Sequence, residues 1–208
     1  MSFDSIIAVT VLLFASTWTP GPNNAMLASS GATFGFRRTV PHALGVALGF
    51  PAMLFLVALG LGEVFARSTV LQETLRYCGA ALLLWVAWRI ANAKAPGEAG
   101  ARSKPFTFLQ AAAFQWVNPK AWAMCVGVVA QFLTGTNTLT EAAVATLIGI
   151  ASGLGSAHSW AGFGAVMQRW LRTPSRLKAF NLTMAGLVVL GVFWLLTGDL
   201  NPVAKGVN

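Results

Sequence analysis

Two short segments of the chain combine prolines with asparagines, and the second segment adds a lysine. In chain order the residues are Thr19, Pro20, Gly21, Pro22, Asn23 and Asn24, followed by Asn118, Pro119 and Lys120. Because proline has no backbone N–H and glycine permits conformations that a helix excludes, each segment predicts a break in a helix. Pro22 suits the first position of a new helix, whose exposed N–H groups and positive dipole end favour an anion such as a carboxylate. We therefore take these residues as the candidate binding site for a small solute; the alternative is that the prolines merely kink two helices of a tight bundle.

Lys120 is the only basic residue deep inside an apolar stretch of the sequence. If that stretch spans a membrane, an ammonium group there costs roughly 2.5 to 3.5 kcal/mol even on a lenient insertion scale, so a compensating role is expected. One interpretation is that Lys120 pairs with the carboxylate of a bound solute. The other is structural, with the side chain reaching an interface or binding carbonyl groups freed by the first helix break.

The elements that must position these residues are long apolar segments. Hydrophobic residues make up 56% of the 208 residues and charged residues only 10%, and the mean hydropathy is +0.66. Such a chain has too little polar surface to cover a soluble globule. A spanning helix needs about 20 mostly apolar residues, and the stretches that qualify are 5–34, 41–62, 71–91, 106–132, 141–168 and 178–197. The sequence therefore predicts an all-α polytopic membrane protein with six transmembrane helices, of which helices 1 and 4 are broken.

A polar linker divides the predicted membrane domain, which covers residues 1–208, into two halves. Residues 94–105 combine Lys, Pro, Gly, Glu and Arg, as is typical of a solvated connection. Residues 1–93 and 106–208 then hold three helices each. Because three is an odd number, a repeat that relates the halves would be inverted, as in many transporters, whose binding site forms where broken helices meet at the midplane. The two proline breaks occupy corresponding positions of these halves.

Basic residues predict the orientation of the six helices. Ten Lys and Arg residues lie in the odd-numbered loops: Arg37, Arg38, Arg89, Lys94, Arg102, Lys104, Arg169, Arg172, Arg176 and Lys178. Only three lie on the other side: Arg67, Arg76 and Lys205. The side richer in Lys and Arg is the cytoplasmic one. Both termini and the even-numbered loops are therefore expected outside, in the periplasm of a Gram-negative cell, and the linker is expected in the cytoplasm.

The two motifs resemble those of the LysE/RhtB family of bacterial amino-acid exporters, in which TPGPNN in the first span and NPK in the fourth recur. Supporting segments are residues 29–30, 35–37, 45–50, 79–81 and 85–88. Within that family the chain is most similar to the cysteine and O-acetylserine exporter group. The resemblance implies six spans in the bacterial inner membrane and export of small amino acids by proton antiport, and it allows a homodimer.

The chain departs from this family pattern in the fifth helix. Many relatives carry an acidic residue there, whereas this chain has His158 between two serines. His158 is our candidate for proton coupling, because an imidazole titrates near physiological pH; the alternative is a hydrogen-bonded contact between helices. Ser156, Trp160 and Trp116 are expected to line the cavity. His42 follows the basic first loop and is expected at the membrane interface.

Other functional classes find little support in the sequence. A zinc-binding His-Glu-x-x-His pair, a Gly-x-Ser-x-Gly turn and paired aspartates are absent, so no enzyme, cofactor or metal site is expected. The net charge of +8 resides in short loops, with no basic stripe for nucleic acid. A channel or a structural membrane subunit without coupled transport is the alternative to a transporter, although neither a carbonyl filter nor a ring-forming row of charges is evident.

Overall fold

A computed structural model describes residues 1–93, 104–133, 137–171 and 173–197, and all regular structure within these ranges is helical. The helices are α1 (Phe3–Trp18), α2 (Pro22–Phe34), α3 (Phe36–Leu56), α4 (Gly62–Arg67), α5 (Thr69–Ala91), α6 (Phe108–Phe114), α7 (Pro119–Phe132), α8 (Thr138–Met167) and α9 (Pro174–Thr197). Each of the six apolar stretches is therefore mainly helical where it is described, and the first and fourth stretches are interrupted at residues 19–21 and at Asn118. Residues 94–103 of the expected linker lie outside the described ranges.

The first apolar stretch forms two helices, α1 and α2, which meet at an angle of 49°. Helix α1 begins where the Ser2 side chain accepts a hydrogen bond from the backbone N–H of Ser5, and it ends as the chain becomes extended at Thr19. Gly21 is extended as well, and Pro22 begins α2. Proline suits this position because the first N–H of a helix has no intrahelical partner. The predicted break in the first apolar stretch is thus confirmed.

The fourth stretch is broken in the same way. A capping box starts α6, with the Thr107 side chain on the Gln110 N–H and the Gln110 side chain on the Thr107 N–H. A 3₁₀ turn over Gln115–Val117 ends this short helix, and the chain is extended at Asn118. Pro119 then begins α7. Both halves of the chain therefore contain a helix that stops and restarts at a proline.

Within the described ranges, three helical units are long and apolar enough to cross a membrane: Phe36–Arg67, Thr138–Met167 and Pro174–Thr197. The bent pair of α1 and α2 adds a fourth if it counts as one span. The first unit joins α3 to α4 through a π-helical turn, Val57–Leu61, in which Gly60 has a φ of 125°. A side chain at Gly60 would be strained by that φ, so glycine permits the kink. Helix α5 and the broken α6–α7 pair do not meet the length and composition criteria for a span.

Helix α8 is the centre of the bundle, and α2 and α3 pack most extensively along it. Backbones touch at these contacts: a Cβ on Gly164 of α8 would overlap the carbonyl group of Ala28 in α2, and a Cβ on Gly31 would overlap that of Ala161. Helix α5 packs along α9 as a second pair. Small residues allow such close approach, which membrane helices use in place of a hydrophobic driving force.

The outer surface of the bundle is apolar. Large hydrophobic side chains are exposed along most helices, among them Val11 on α1, Leu147 on α8, and Leu190 and Phe193 on α9. The exposed acidic and basic residues Glu63 and Arg67 lie instead in the first and last turns of the short helix α4, where they form an ion pair at 3.4 Å. An exposed apolar belt of this extent is typical of a protein in contact with lipid.

Candidate functional site

The two broken stretches meet, and Lys120 joins them. Its Nζ donates a hydrogen bond to the carbonyl oxygen of Thr19 at 3.2 Å. The side chain passes directly over Gly21, where an added Cβ would lie 3.3 Å from Nζ. Gly21 therefore gives the ammonium group space beside the start of α2. This contact agrees with the structural interpretation of Lys120, since a freed carbonyl of the first break accepts its hydrogen bond. The same position also leaves the ammonium group beside the start of α2, where it could pair with the carboxylate of a solute.

Asn23 and Gln115 connect the two breaks through their side-chain amides. Asn23 Nδ2 donates to Gln115 Oε1 at 2.8 Å, and Gln115 Nε2 donates back to Asn23 Oδ1 at 3.4 Å. Gln115 Nε2 also donates to the carbonyl oxygen of Ala111 at 3.0 Å, and the side chain is fully buried. The sequence analysis missed Gln115. An amide three residues before Asn118, in an otherwise apolar run, was the available signal.

The carbonyl groups freed at the end of α1 find partners around the break. Asn24 Nδ2 donates to the carbonyl oxygens of Thr17 and Thr19, at 2.8 and 2.9 Å. Ser156 of α8 donates its hydroxyl to the Thr17 carbonyl at 2.7 Å, and the Thr17 hydroxyl lies 2.5 Å from that of Ser152. Unpaired carbonyl groups are costly away from water, and these bonds satisfy them. Asn24 therefore serves the fold of the break, while Asn23 faces the other half.

The two restarting helices differ at their N-termini. At the start of α7, the Asn118 side chain accepts a hydrogen bond from the Lys120 N–H at 3.2 Å. At the start of α2, Gly21 has no side chain to cap the helix, and no side-chain cap is found there among the described residues. The first N–H groups of α2 carry the positive end of its dipole. With the Lys120 ammonium beside them, this end of α2 is the most favourable place in the site for an anion.

No acidic side chain neutralises this positive region within the described residues. The ion pairs of the described residues join Glu141 to the amino group of Met1, Glu63 to Arg67, and Glu73 to Arg76. Each of them lies away from Lys120. In a protein interior, a cation without a carboxylate partner next to an uncapped helix N-terminus can bind an anionic group of a ligand strongly.

A cavity opens between the breaks and α8, and we call it the central cavity. It offers about 50 Å³ to the centres of water molecules, several times the roughly 10–15 Å³ that one water requires. Its polar lining consists of Ser16, Thr17, Asn23, Asn24, Gln115, Asn118, Lys120 and Ser156. Gly21, Pro22, Val46, Phe50, Ala121, Met124, Gly153 and Ala157 complete the wall. The composition is that of a site for a small polar solute, with polar groups on an apolar wall.

The structure brings most of the candidate residues together at this cavity. Gly21, Pro22, Asn23, Asn24, Asn118, Lys120 and Ser156 all line it. Thr19 contributes its carbonyl oxygen to Lys120, while the Thr19 and Pro20 side chains are exposed. Pro119 faces a small apolar recess with Phe65 and Trp122. The two proline–asparagine segments therefore contribute to a single site.

Both tryptophan candidates lie apart from the lining of the central cavity. Trp116 packs edge-on against Trp122, with ring centroids 6.1 Å apart, and its carbonyl oxygen accepts the Trp122 indole N–H at 2.9 Å. Trp160 packs edge-on against Phe163 at 6.0 Å. Both rings therefore pack against other aromatic rings. The sequence indicates where a tryptophan lies along its helix, but it does not show which residues of other helices pack against it.

His158 also lies outside the lining of the central cavity, two residues beyond Ser156 on α8. Its Nδ1 is 2.8 Å from the Leu154 carbonyl oxygen, and its ring centroid is 6.1 Å from that of Phe36.

His42, which was expected at an interface, is instead fully buried and lies 3.1 Å from the Ser30 hydroxyl through Nδ1. That expectation was wrong because a polar partner on α2 holds the imidazole inside the bundle. No group of three metal-ligating side chains occurs in the described ranges.

Comparisons with known proteins agree with the motifs. The family model described as LysE type translocator matches residues 13–198, which include both breaks. A cysteine/O-acetylserine efflux protein of Shigella flexneri serotype 5b (strain 8401) is 31% identical over 194 residues, covering 87% of this chain and 96% of that relative. A cysteine/O-acetylserine efflux protein of Escherichia coli (strain K12) is 32% identical over 176 residues, or 82% and 87%. No solved structure matches the chain significantly.

Proposed function

Because the chain belongs to the LysE type translocator family, we propose that it exports a small amino acid such as cysteine, or a derivative such as O-acetylserine, from the bacterial cytoplasm. The chain is a transporter and not an enzyme. It is a multi-pass protein of the inner membrane, as its apolar helices and its bacterial relatives indicate. The choice of substrates rests on the names of the relatives. The binding chemistry is argued from the residues of the central cavity.

The observation that carries the proposal is the position of Lys120. Its ammonium group lies beside the uncapped start of α2, at the central cavity, without a carboxylate partner in the described part of the chain. The carboxylate of an amino acid would bind between Lys120 and the first N–H groups of α2. Oxygen atoms of Asn23 and Asn118 would then accept hydrogen bonds from its ammonium group. The small volume of the cavity favours substrates with short side chains.

We further propose six spans arranged as two inverted repeats of three helices. In such a repeat a pseudo-two-fold axis relates the second helix to the fifth and the third to the sixth, and related helices that lie next to the axis can pack together. Packing of α3 along α8 and of α5 along α9 supports this arrangement, and so does the matching pair of proline breaks. Helix α5 and the α6–α7 pair would then cross the membrane within the bundle, where neighbouring helices tolerate their polar residues. The positive-inside rule puts both termini in the periplasm.

Alternating access would follow from rocking of one half against the other around the central cavity. The paired amides of Asn23 and Gln115 bind the halves to each other at this point. Substrate that enters between the breaks would compete for these amides and loosen the contact. Coupling to protons is assigned to His158, which lies on the central helix α8 with Nδ1 2.8 Å from the Leu154 carbonyl oxygen, because histidine is the side chain most often used to relay protons. Assembly as a homodimer is also proposed, and light scattering of the purified protein tests it.

The experiment that tests the function is efflux from proteoliposomes loaded with radiolabelled O-acetyl-L-serine or L-cysteine. Saturable efflux by the unchanged protein is expected, with loss in Lys120→Met and in Asn23→Ala. Lys178→Met is the matched control, because it removes the same charge from an exposed position of α9. Flux that is absent with these and with other small amino acids would overturn the proposal. Flux that rises linearly with concentration, without saturation, would favour a channel instead.

A further inference from the structure

A second cavity, larger than the central one, lies between α2 and α5. This α2–α5 cavity offers about 230 Å³ to the centres of water molecules. Three hydroxyl side chains of α2, those of Ser29, Ser30 and Thr33, form its polar wall, and Arg89 of α5 faces them. In the proposed orientation its position near the ends of α2 and α5 is cytoplasmic, which is the side from which an exported solute enters.

Arg89 is held in place by an aromatic ring. Its guanidinium carbon lies 4.6 Å from the centre of the Trp85 ring, a cation–π distance. Trp85 also lines the cavity. No carboxylate is within ion-pair distance of Arg89 among the described residues, so the N–H groups of the guanidinium remain available to a ligand. A guanidinium binds a carboxylate or a phosphate through two parallel hydrogen bonds, so the carboxylate of a small amino acid fits Arg89.

The hydroxyl wall is buried and already ordered. Ser29, Ser30 and Thr33 are each about 5 to 6% exposed. The Ser30 hydroxyl lies 3.1 Å from His42 Nδ1, and the Ser29 hydroxyl donates to Asn181 Oδ1 at 3.5 Å. Hydroxyl groups fixed in this way face a cavity instead of packing against apolar atoms. They offer hydrogen bonds to a polar solute at no further cost of ordering.

One face of α2 connects the two cavities. Met26, Ser30 and Thr33 are spaced at intervals of three and four residues, so they share a face, and Asn23 precedes Met26 by three. Asn23 lines the central cavity and Met26 lines the α2–α5 cavity. Met26 is buried in the same apolar cluster as Phe114, the residue before Gln115. On this face the buried Met26 therefore lies between Asn23 and the hydroxyl groups of the α2–α5 cavity.

We propose that the α2–α5 cavity is a second solute site, which binds the carboxylate of a small amino acid on Arg89 and the α2 hydroxyl groups before the solute reaches the central cavity. Its place in transport rests on the export proposed above, whereas its affinity for a carboxylate does not. Occupied first from the cytoplasm, the site would raise the local concentration of substrate next to Met26, whose movement would admit the solute to Asn23.

A cysteine reporter tests the site without transport. Thr33→Cys is placed in a chain that carries Cys78→Ser and Cys125→Ala, and inverted membrane vesicles are treated with an anionic thiosulfonate reagent. O-acetyl-L-serine should slow the labelling about tenfold at about ten times its Kd, by simple occupancy. Its methyl ester, which has no carboxylate, should not protect. Arg89→Gln should remove the protection, and Lys120→Met should retain it.

Each other result counts against the site. Equal protection by acid and ester would mean that no carboxylate is recognised, and this comparison needs no change at Arg89. Protection that disappears in Lys120→Met would mean that the reporter senses only the central cavity. Labelling that responds to phosphatidylglycerol content and not to O-acetylserine would assign Arg89 to lipid headgroups. Protection without any efflux in proteoliposomes would leave the second site standing and overturn the export function alone.

Discussion

Replacing Lys120 with methionine separates its two roles, because methionine keeps most of the length of the side chain and removes the charge. A hydrogen bond that involves a charged group contributes about 1.5–3 kcal/mol. If Lys120 binds the substrate carboxylate, Lys120→Met should raise the Kd for O-acetyl-L-serine by about 10- to 150-fold, since 1.4 kcal/mol corresponds to a factor of ten.

Stability should change much less than affinity in this variant. The bond from Nζ to the Thr19 carbonyl oxygen is lost, but so is an ammonium whose insertion costs roughly 2.5–3.5 kcal/mol. These terms oppose each other, so we expect the free energy of unfolding to change by less than about 1 kcal/mol. A purely structural lysine would leave the affinity for O-acetyl-L-serine unchanged.

The assay measures both quantities on purified protein in detergent. Titration calorimetry gives the Kd for O-acetyl-L-serine, and unfolding in a denaturing detergent gives the stability. Lys178→Met, at an exposed position of α9, should change neither. An unchanged Kd in Lys120→Met would refute the assignment of Lys120 to the substrate, whether or not the unfolding free energy changes.

Three further predictions concern contacts around the site. In a double-mutant cycle that measures the free energy of unfolding, Asn23→Ala and Gln115→Ala should show a coupling energy of about 1 kcal/mol. Additive effects would argue against the hydrogen bonds between these two amides. Gly164→Ala should destabilise the protein by about 1–3 kcal/mol through overpacking, whereas Gly127→Ala, with open space around it, should be neutral or stabilising by up to about 1 kcal/mol. His158→Gln should keep downhill efflux but lose its response to a pH gradient; an intact response would remove His158 from proton coupling.

The sequence contained most of what defines the helix breaks. Proline removes a helix donor wherever it stands, so both breaks, and Pro22 as the first residue of a new helix, could be predicted from local chemistry alone. The contact of Lys120 with the Thr19 carbonyl was one of two roles considered for that lysine. Local signals sufficed here because each break depends on its own residues.

Residues whose roles depend on packing were harder to place. Gln115 pairs with Asn23 across 92 positions of sequence, and only the meeting of the two halves reveals that pair. The buried contact of His42 with Ser30 depends in the same way on how α2 packs against α3. Trp116 and Trp160 face aromatic neighbours and not the central cavity. Periodicity predicts which residues share a face, whereas the partner of that face is set by tertiary structure.

We have proposed that the chain exports a small amino acid that binds at Lys120, and that His158 couples this export to protons. The most direct measurement is efflux of O-acetyl-L-serine from proteoliposomes with and without an imposed pH gradient, compared between the unchanged protein and Lys120→Met. We expect saturable efflux that the gradient accelerates, and its loss in the variant. Efflux that is equally fast in Lys120→Met, or absent in the unchanged protein for every small amino acid, would contradict the account.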